Sequence, residues 1–129
     1  MLNPRHKNSL DSLMKRIRSH LFGIDQGEHI MFSDYENDGK MWSGSGTRQR
    51  KKTIIFSEPY EEPPAVHVSM SLMDLDKETN VRADVLAKNI SNTGFDLIFR
   101  TWGDTRVARV RLSWIAMGGL VDKESWDLY

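Results

Sequence analysis

The amino-acid sequence predicts an all-β protein: a six-stranded antiparallel β-sandwich with a short N-terminal amphipathic helix. From Gly27 onward, apolar and polar residues alternate with the period of strands that bury one face. Glycine, proline, asparagine and aspartate recur at short intervals between these runs, which is typical of antiparallel sandwiches. With 39% hydrophobic and 28% charged residues, the chain of 129 residues has the composition of one globular domain.

The charge balance and the cysteine count exclude several kinds of function. Lysine plus arginine number 18, as do aspartate plus glutamate, so there is no bulk attraction to nucleic acid or an anionic membrane. The chain has no cysteine, which excludes disulfides, thiolate metal ligands and cysteine nucleophiles. Its 4 histidines are scattered without the spacing of a zinc site. We therefore expect no enzyme: no catalytic residue, no metal, no cofactor and no nucleic-acid partner.

Residues 1–25 are expected to form a helical arm, with a helix over 9–22. Asn8 or Ser9 caps its start, and Gly23 ends it. Its apolar stripe is formed by Leu10, Leu13, Met14, Ile17 and Leu21. The stripe needs a partner, because an isolated helix of this length is marginal in water. It docks either on its own domain or sister subunits, or into a larger assembly.

The N-terminus also bears on where the protein acts. No apolar run of signal-peptide length precedes Gly23. We therefore expect synthesis in the cytoplasm without a signal peptide, and no membrane insertion. A protein made in this way is expected to act extracellularly or on a released particle after leaving the cell by lysis or within an assembly.

The sandwich is expected to occupy residues 26–118. Its first strand is followed by a connection over 34–47 that is rich in glycine, asparagine, aspartate and serine and has a length typical of functional loops. The five later strands are expected at 53–56, 66–72, 81–88, 95–100 and 108–116. Alternation turns Phe95, Leu97 and Phe99 toward the core.

Several separated motifs between residues 47 and 118 agree in order and spacing with one known family. They include Ile55-Phe56-x-x-Pro59-Tyr60, Asn80-Val81-Arg82, Thr93-Gly94-Phe95, Thr101-Trp102 and Ser113-Trp114-Ile115-Ala116. Together they resemble the H-type lectin domain family, of the snail agglutinin and discoidin C-terminal domain type. The resemblance implies a six-stranded sandwich that assembles as a homotrimer. It also implies binding of galactose-type sugars, above all N-acetylgalactosamine, between neighbouring protomers.

The resemblance places a carbohydrate site at Arg82 and Trp102, which match the family's Asn-x-Arg and Thr-Trp motifs. Three other family positions differ. Ser45 stands where an aspartate is expected, Gly103 follows the tryptophan in place of a histidine, and Ala108 replaces a tyrosine. Asp104 is able to supply the lost carboxylate, or to form an ordinary ion pair with Arg82 or Arg106.

Two hypotheses for function follow. In the first, the protein is a trimeric carbohydrate-binding module for cell-surface glycans, and symmetric presentation makes weak single sites effective in adhesion. Stacking of a sugar on Trp102, with hydrogen bonds from Arg82 and Asp104, is the chemistry it needs. In the second, the protein is a structural fibre, spike or adaptor subunit of a phage-like or secreted particle. There the fold serves for trimerisation and host-surface attachment, and the N-terminal arm docks on the particle.

Three charged or apolar segments leave alternatives open. Asp74-x-Asp76-x-Glu78 has the acidic spacing of a calcium loop, but Thr79 stands where glycine is needed, so a polar turn is favoured. The basic run of Arg48, Arg50, Lys51 and Lys52 is interpreted as a solvated strand edge, with a patch for anionic glycans as the alternative. The tail, residues 119–129, is expected to pack along the base of the oligomer or to form a free interaction segment.

Overall fold

The structure is a computed structural model that describes residues 12–121. Six strands account for most of these residues, and a single helical turn, α1 (Lys40–Ser43), lies between the first two. The strands are β1 (Phe22–Ser33), β2 (Arg48–Ile55), β3 (Ala65–Leu75), β4 (Asp84–Lys88), β5 (Gly94–Thr101) and β6 (Val107–Gly119). The expected tail contacts of residues 122–129 lie outside the described part of the chain.

The strands form two three-stranded antiparallel sheets, in the orders β1-β6-β3 and β2-β5-β4. Each sheet turns one face inward, and the two inner faces enclose a common core. The prediction of an all-β fold with six strands in an antiparallel sandwich is confirmed. Below, the sheets are called the β6 sheet and the β5 sheet, after their central strands.

The core confirms the alternation expected from the sequence. Phe95, Leu97 and Phe99 of β5 are almost fully buried, and Trp114 of β6 packs across the interior against Phe95, with ring centroids 5.4 Å apart. Other buried residues include Phe32, Ile54, Phe56, Tyr60, Val107, Val110, Leu112 and Ala116. Edge-to-face and tilted rings dominate, as expected for aromatic groups that pack closely.

The predicted N-terminal helix over 9–22 is not shown. Residues 12–21 have no helical turn, β1 already begins at Phe22, and residues 9–11 lie outside the described range. Other bonds hold this segment: the backbone N–H of Leu120 donates to the carbonyl of Leu21 at 2.9 Å. Leu13 and Met14 are about four-fifths exposed, at 78% and 83%. Leu13 and Met14 therefore lack the packing that a helix this short needs for stability.

Two predicted strands differ in detail from the structure. A β-bulge between Met70 and Leu72 shifts the register of β3, so Met73, and not Leu72, packs against the core beyond it. Simple alternation cannot foresee such an insertion. β4 begins at Asp84 and not at residue 81, because the backbone around Arg82 is bonded to threonine side chains.

His29 lies on the inner face of β1, opposite Leu112 of β6. Its Nε2 atom is buried and has no hydrogen-bond partner within residues 12–121. Burial, followed by the positive charge of Lys52, lowers the pKa of His29. The neutral ring is therefore favoured in the folded chain.

We expect His29 to make stability depend on pH. Because its pKa is lower in the folded than in the unfolded chain, its contribution is fully present above the ordinary pKa of 6.5 and is lost as the pH falls through the folded value. Urea unfolding between about pH 7.5 and about pH 5.5 should show this decline, since histidine titrates in that window. His29→Gln should reduce the decline. His67→Gln, at an exposed position of β3, should leave the decline as in the wild type. An equal pH dependence of the free energy of unfolding in all three proteins would contradict the assignment to His29.

Candidate functional site

Three loops meet at one end of the sandwich because β1, β3 and β5 all run toward that end. They are the β1–β2 loop (residues 34–47), the β3–β4 loop (76–83) and the β5–β6 loop (102–106). All five residues that the sequence placed in a carbohydrate site lie in these loops. This end of the molecule is called the loop end below.

Arg82 and Asp104 form an ion pair at the loop end, with 2.6 Å between Nη1 and Oδ1. Nδ2 of Asn80 donates to the other carboxylate oxygen at 3.4 Å. The hydrogen bond from Arg82 is the largest cause that lowers the pKa of Asp104. The carboxylate is therefore ionised and remains exposed to solvent, where its energetic value to the fold is small.

Two buried threonines position Arg82, and the sequence reasoning missed both. The backbone N–H of Arg82 donates to Oγ1 of Thr105 at 3.2 Å, and Oγ1 of Thr101 donates to the carbonyl of Arg82. Thr105 in turn donates to the carbonyl of Asn80 at 2.6 Å. These hydroxyls replace the ladder bonds that β4 would otherwise make. The signal available in the sequence was the threonine at each end of the loop that carries Trp102.

Gly103 has a left-handed backbone, with φ of +70°. A Cβ atom built there would lie 3.1 Å from Nη1 of Arg82. The absence of a side chain therefore leaves room for the guanidinium group to reach Asp104. The histidine that the resemblance implies at this position would meet both the strain of the positive φ and the Arg82 side chain.

Trp102 and Ser45 complete the predicted set. The side chain of Trp102 is 39% exposed at the loop end. Ser45 is exposed on the β1–β2 loop, and the N–H of its neighbour Gly46 donates to the carbonyl of Gly103 at 2.9 Å. Within residues 12–121, no hydrogen bond joins Ser45 to Arg82, Trp102 or Asp104. The structure thus brings Arg82 and Asp104 into direct contact, with Gly103 against them, and places Ser45 on the adjacent loop.

Arg48 is not part of a solvated basic edge, and it forms no patch for anions. It is 6% exposed, and its guanidinium group donates only to backbone carbonyls of the loop end. The acceptors belong to Lys40, Met41, Gly44, Gly46, Gly103 and Thr105. Burial lowers the pKa of Arg48. Arg48 occupies an inward-facing position of β2, opposite Thr101. The alternation of this strand was the signal that the sequence reasoning did not use.

Of the other three residues in the basic run, one forms an ion pair and two are exposed to solvent. Arg50 forms an ion pair with the buried Asp34 at 3.0 Å, whereas Lys51 and Lys52 are exposed. In the acidic segment, Asp76 accepts the N–H of Glu78 at 2.9 Å and pairs with Arg106 at 3.2 Å. These bonds are those of a polar turn held to the β5–β6 loop.

Neither a metal cluster nor a membrane-spanning helix is found in the described part of the chain. Across residues 12–121, no group of at least three acidic or histidine side chains is arranged to hold a metal ion. Over the same residues, no helix has the length and apolar character needed to cross a membrane.

Comparison with known proteins identifies the family. A sequence model of the H-type lectin domain matches residues 51–117. The chain belongs to the H-type lectin domain family. Its lectin-like, carbohydrate-binding fold is therefore that of a non-enzymatic family, and the resemblance seen in the sequence motifs is confirmed.

The relatives differ in how much of their own length the chain covers. It is 46% identical over 106 residues to ATP synthase subunits region ORF 7 of Fuscovulum blasticum, covering 82% of this chain and 92% of that protein. One of the discoidin-1 subunits of Dictyostelium discoideum is 32% identical over 75 residues, which are 57% of this chain and 30% of that relative. The chain thus spans less than a third of the discoidin-1 polypeptide.

Two solved structures share the fold. Discoidin II of Dictyostelium discoideum superposes with a TM-score of 0.67 at 23% identity, over 81% of this chain and 40% of that chain. The tailspike protein of a Pseudomonas phage superposes with a TM-score of 0.50 at 15% identity, over 78% of this chain and 15% of that chain. At these identities the likeness concerns the fold alone.

Proposed function

We propose that the protein binds neutral galactose-type or other cell-surface glycans at Arg82, Trp102 and Asp104. The observation that carries this proposal is the exposed Arg82–Asp104 pair, which lies at the loop end together with the exposed Trp102. The H-type lectin family membership supports the same assignment.

The chemistry of these side chains suits a pyranose. An indole ring packs against the apolar C–H face of a sugar, and an arginine beside a carboxylate offers donors and acceptors to neighbouring hydroxyls. Asp104 takes over the carboxylate role that Ser45 cannot fill. Because the pKa of Asp104 is lowered, its acceptor function persists as the pH falls below the usual titration range of aspartate.

Titration with N-acetylgalactosamine and galactose tests the site. Arg82→Gln, Asp104→Asn and Trp102→Ala should each weaken binding, and losing a charge-assisted hydrogen bond should raise Kd by about ten- to a hundredfold. Lys88→Gln makes the same charge change at the far end of β4 and should leave Kd unchanged. Wild-type affinity in the Arg82→Gln and Trp102→Ala proteins would refute the proposed site.

We also propose that the protein is a homotrimer. Phe22 and Ile24 on β1 are more than half exposed, and their cross-strand partners on β6 include Met117, so the outer face of the β6 sheet is apolar at the end opposite the loops. An exposed apolar patch of this kind marks an interface. Light scattering during the titration should give close to three times the 14.9 kDa chain mass. A monomer of unchanged sugar affinity would exclude sites shared between protomers.

A role as a fibre, spike or adaptor subunit of a phage-like or secreted particle is the second candidate. The tailspike superposition supports it, because that protein contains the same fold. In this case residues 1–25 attach the protein to its particle, and the sandwich acts outside the cell in host-surface attachment. Deleting residues 1–21 should leave sugar affinity unchanged but abolish co-sedimentation with particles from the producing cells. Co-sedimentation that survives the deletion would count against the arm as the attachment segment.

A further inference from the structure

A cavity at the loop end lies on the β6-sheet side, and Arg82, Trp102 and Asp104 are not among its lining residues. It encloses about 380 Å³, which falls within the usual range of about 300–1,000 Å³ for small-molecule sites. Its wall is formed by the β1–β2 loop and by the loop-proximal residues of β1, β3 and β6. The side chains that matter for its chemistry are Tyr35, Glu36, Trp42, Asp74 and Arg109.

An aromatic pair forms one wall of this cavity. Tyr35 and Trp42 meet edge to face, with ring centroids 5.0 Å apart and planes at 80°. Tyr35 is 63% exposed although it contacts another ring, so it offers an apolar surface to a ligand. Ordering an exposed tyrosine on binding costs little entropy, because its side chain has few rotatable bonds.

The loop that carries Trp42 is fixed in place by buried polar contacts. Arg48 donates to the carbonyl of Met41 at 3.2 Å, and Nε of Arg106 donates to the carbonyl of Trp42 at 2.8 Å. The carboxylate of Asp34 accepts the N–H of Met41 at 3.0 Å. The backbone that carries Trp42 is therefore preorganised by the fold before any ligand arrives.

Polar groups face the aromatic wall. Asp74 and Arg109 are directly opposed partners in the β3–β6 ladder, and both are exposed. Neither takes part in an ion pair within residues 12–121, so their donors and acceptors are available to a ligand. Glu36 adds a further acceptor from the β1–β2 loop.

The charges of the cavity select the class of ligand. The carboxylates of Glu36 and Asp74 outnumber the single guanidinium group of Arg109 in this cavity, so acidic sugars and phosphates are disfavoured. The guanidinium carbon of Arg106 lies 4.3 Å from the centroid of the Trp42 ring, so one aromatic face already holds a cation and a second cation is disfavoured. A neutral ligand with many hydroxyl groups and an apolar face satisfies both conditions.

We propose that this cavity is a second binding site for a neutral saccharide, separate from the Arg82–Trp102 site. In it, the sugar packs on Tyr35 beside Trp42, and Asp74, Arg109 and Glu36 bond its hydroxyls. Each chain then contacts a glycan at two places on the loop end, and two linked contacts raise avidity without any new chemistry.

The experiment is a ¹H–¹⁵N NMR titration of the Trp102→Ala protein with a panel of neutral monosaccharides: galactose, N-acetylgalactosamine, N-acetylglucosamine, mannose and fucose. We expect at least one of them to shift the amides of Tyr35, Trp42, Asp74 and Arg109. Adding Tyr35→Ala should weaken that binding by about five- to tenfold, the size of one aromatic contact. Adding Ile55→Ala, which removes an exposed apolar side chain at the opposite end of β2, should not change it.

The outcomes separate this inference from the proposed function. If no sugar shifts the four cavity amides, or if Tyr35→Ala leaves the shifts and affinity unchanged, the second site is overturned. If the wild-type protein shows cavity shifts but none at Arg82, Trp102 and Asp104, the second site stands and the proposed primary site falls.

Discussion

Replacing Arg48 with methionine should lower the free energy of unfolding by about 3 to 5 kcal/mol, a large loss for a single substitution. Methionine keeps much of the side-chain length but donates no hydrogen bond. Carbonyl groups of three loop segments, around Met41, Gly46 and Thr105, would then lose a buried donor. Buried acceptors left without a partner carry the full cost of their desolvation.

The substitution should also disorder the loop end. Arg48 bonds both the β1–β2 loop and the β5–β6 loop, so its loss frees the segments that carry Trp42 and Gly103. Urea unfolding measures the stability, and amide hydrogen exchange in residues 39–47 measures the loosening.

Lys40→Met provides the matched control for Arg48→Met. It removes one positive charge at an exposed side chain of the β1–β2 loop, which Arg48 bonds, and it should change stability by no more than about 0.5 kcal/mol. A similar small change in Arg48→Met would show that the buried guanidinium group is not what holds the loops together.

Gly94→Ala should destabilise the fold by about 3 kcal/mol, the upper part of the usual range for overpacking. An added Cβ atom would lie 2.1 Å from the carbonyl oxygen of Ile54 and 3.2 Å from its carbon. Both atoms are backbone, so β2 must move away from β5 at the end of their ladder. Phe95 and Ile54 are directly opposed next to this position, and their buried packing would be disturbed with it.

Gly46→Ala separates crowding from backbone strain. Gly46 has φ of +78°, and an added Cβ atom meets no other atom within 4 Å. Its cost should therefore be conformational and about 1 kcal/mol. Thermal or urea unfolding of the two variants compares them directly. Equal losses would mean that the approach of Ile54 to Gly94 relaxes at little cost.

The sequence predicted the sandwich because its core follows a simple rule. Alternation in β5 placed Phe95, Leu97 and Phe99 inward, and each is buried. Turn residues located the breaks between strands. The rule failed where the backbone departs from regular pleating, as at the bulge after Met70 in β3, since an inserted residue leaves no mark on composition. The N-terminal helix failed for another reason: local periodicity does not provide the partner that a short helix requires.

The candidate site was predictable only in part. The motif resemblance located Arg82 and Trp102, and the residue type of Asp104 suggested its pairing, which the structure shows. The supports of that pair were not foreseen. Thr101 and Thr105 act through side-chain bonds to backbone groups distant in the chain, and Arg48 was counted among exposed bases because neighbouring positions are charged. Contacts between loops depend on the packed fold, which a linear pattern does not contain.

The bond between Leu120 and Leu21 joins the residue after β6 to the residue before β1, at the pole of the molecule opposite its loops. β6, which runs between these poles, has 13 residues, and a strand of that length spans about 40 Å. A label attached beside this bond would therefore lie on the far side from the exposed tryptophan. Immobilising the protein through a residue beside this bond should leave the loop end pointing outward into solution, which suits both a surface sensor and a display scaffold.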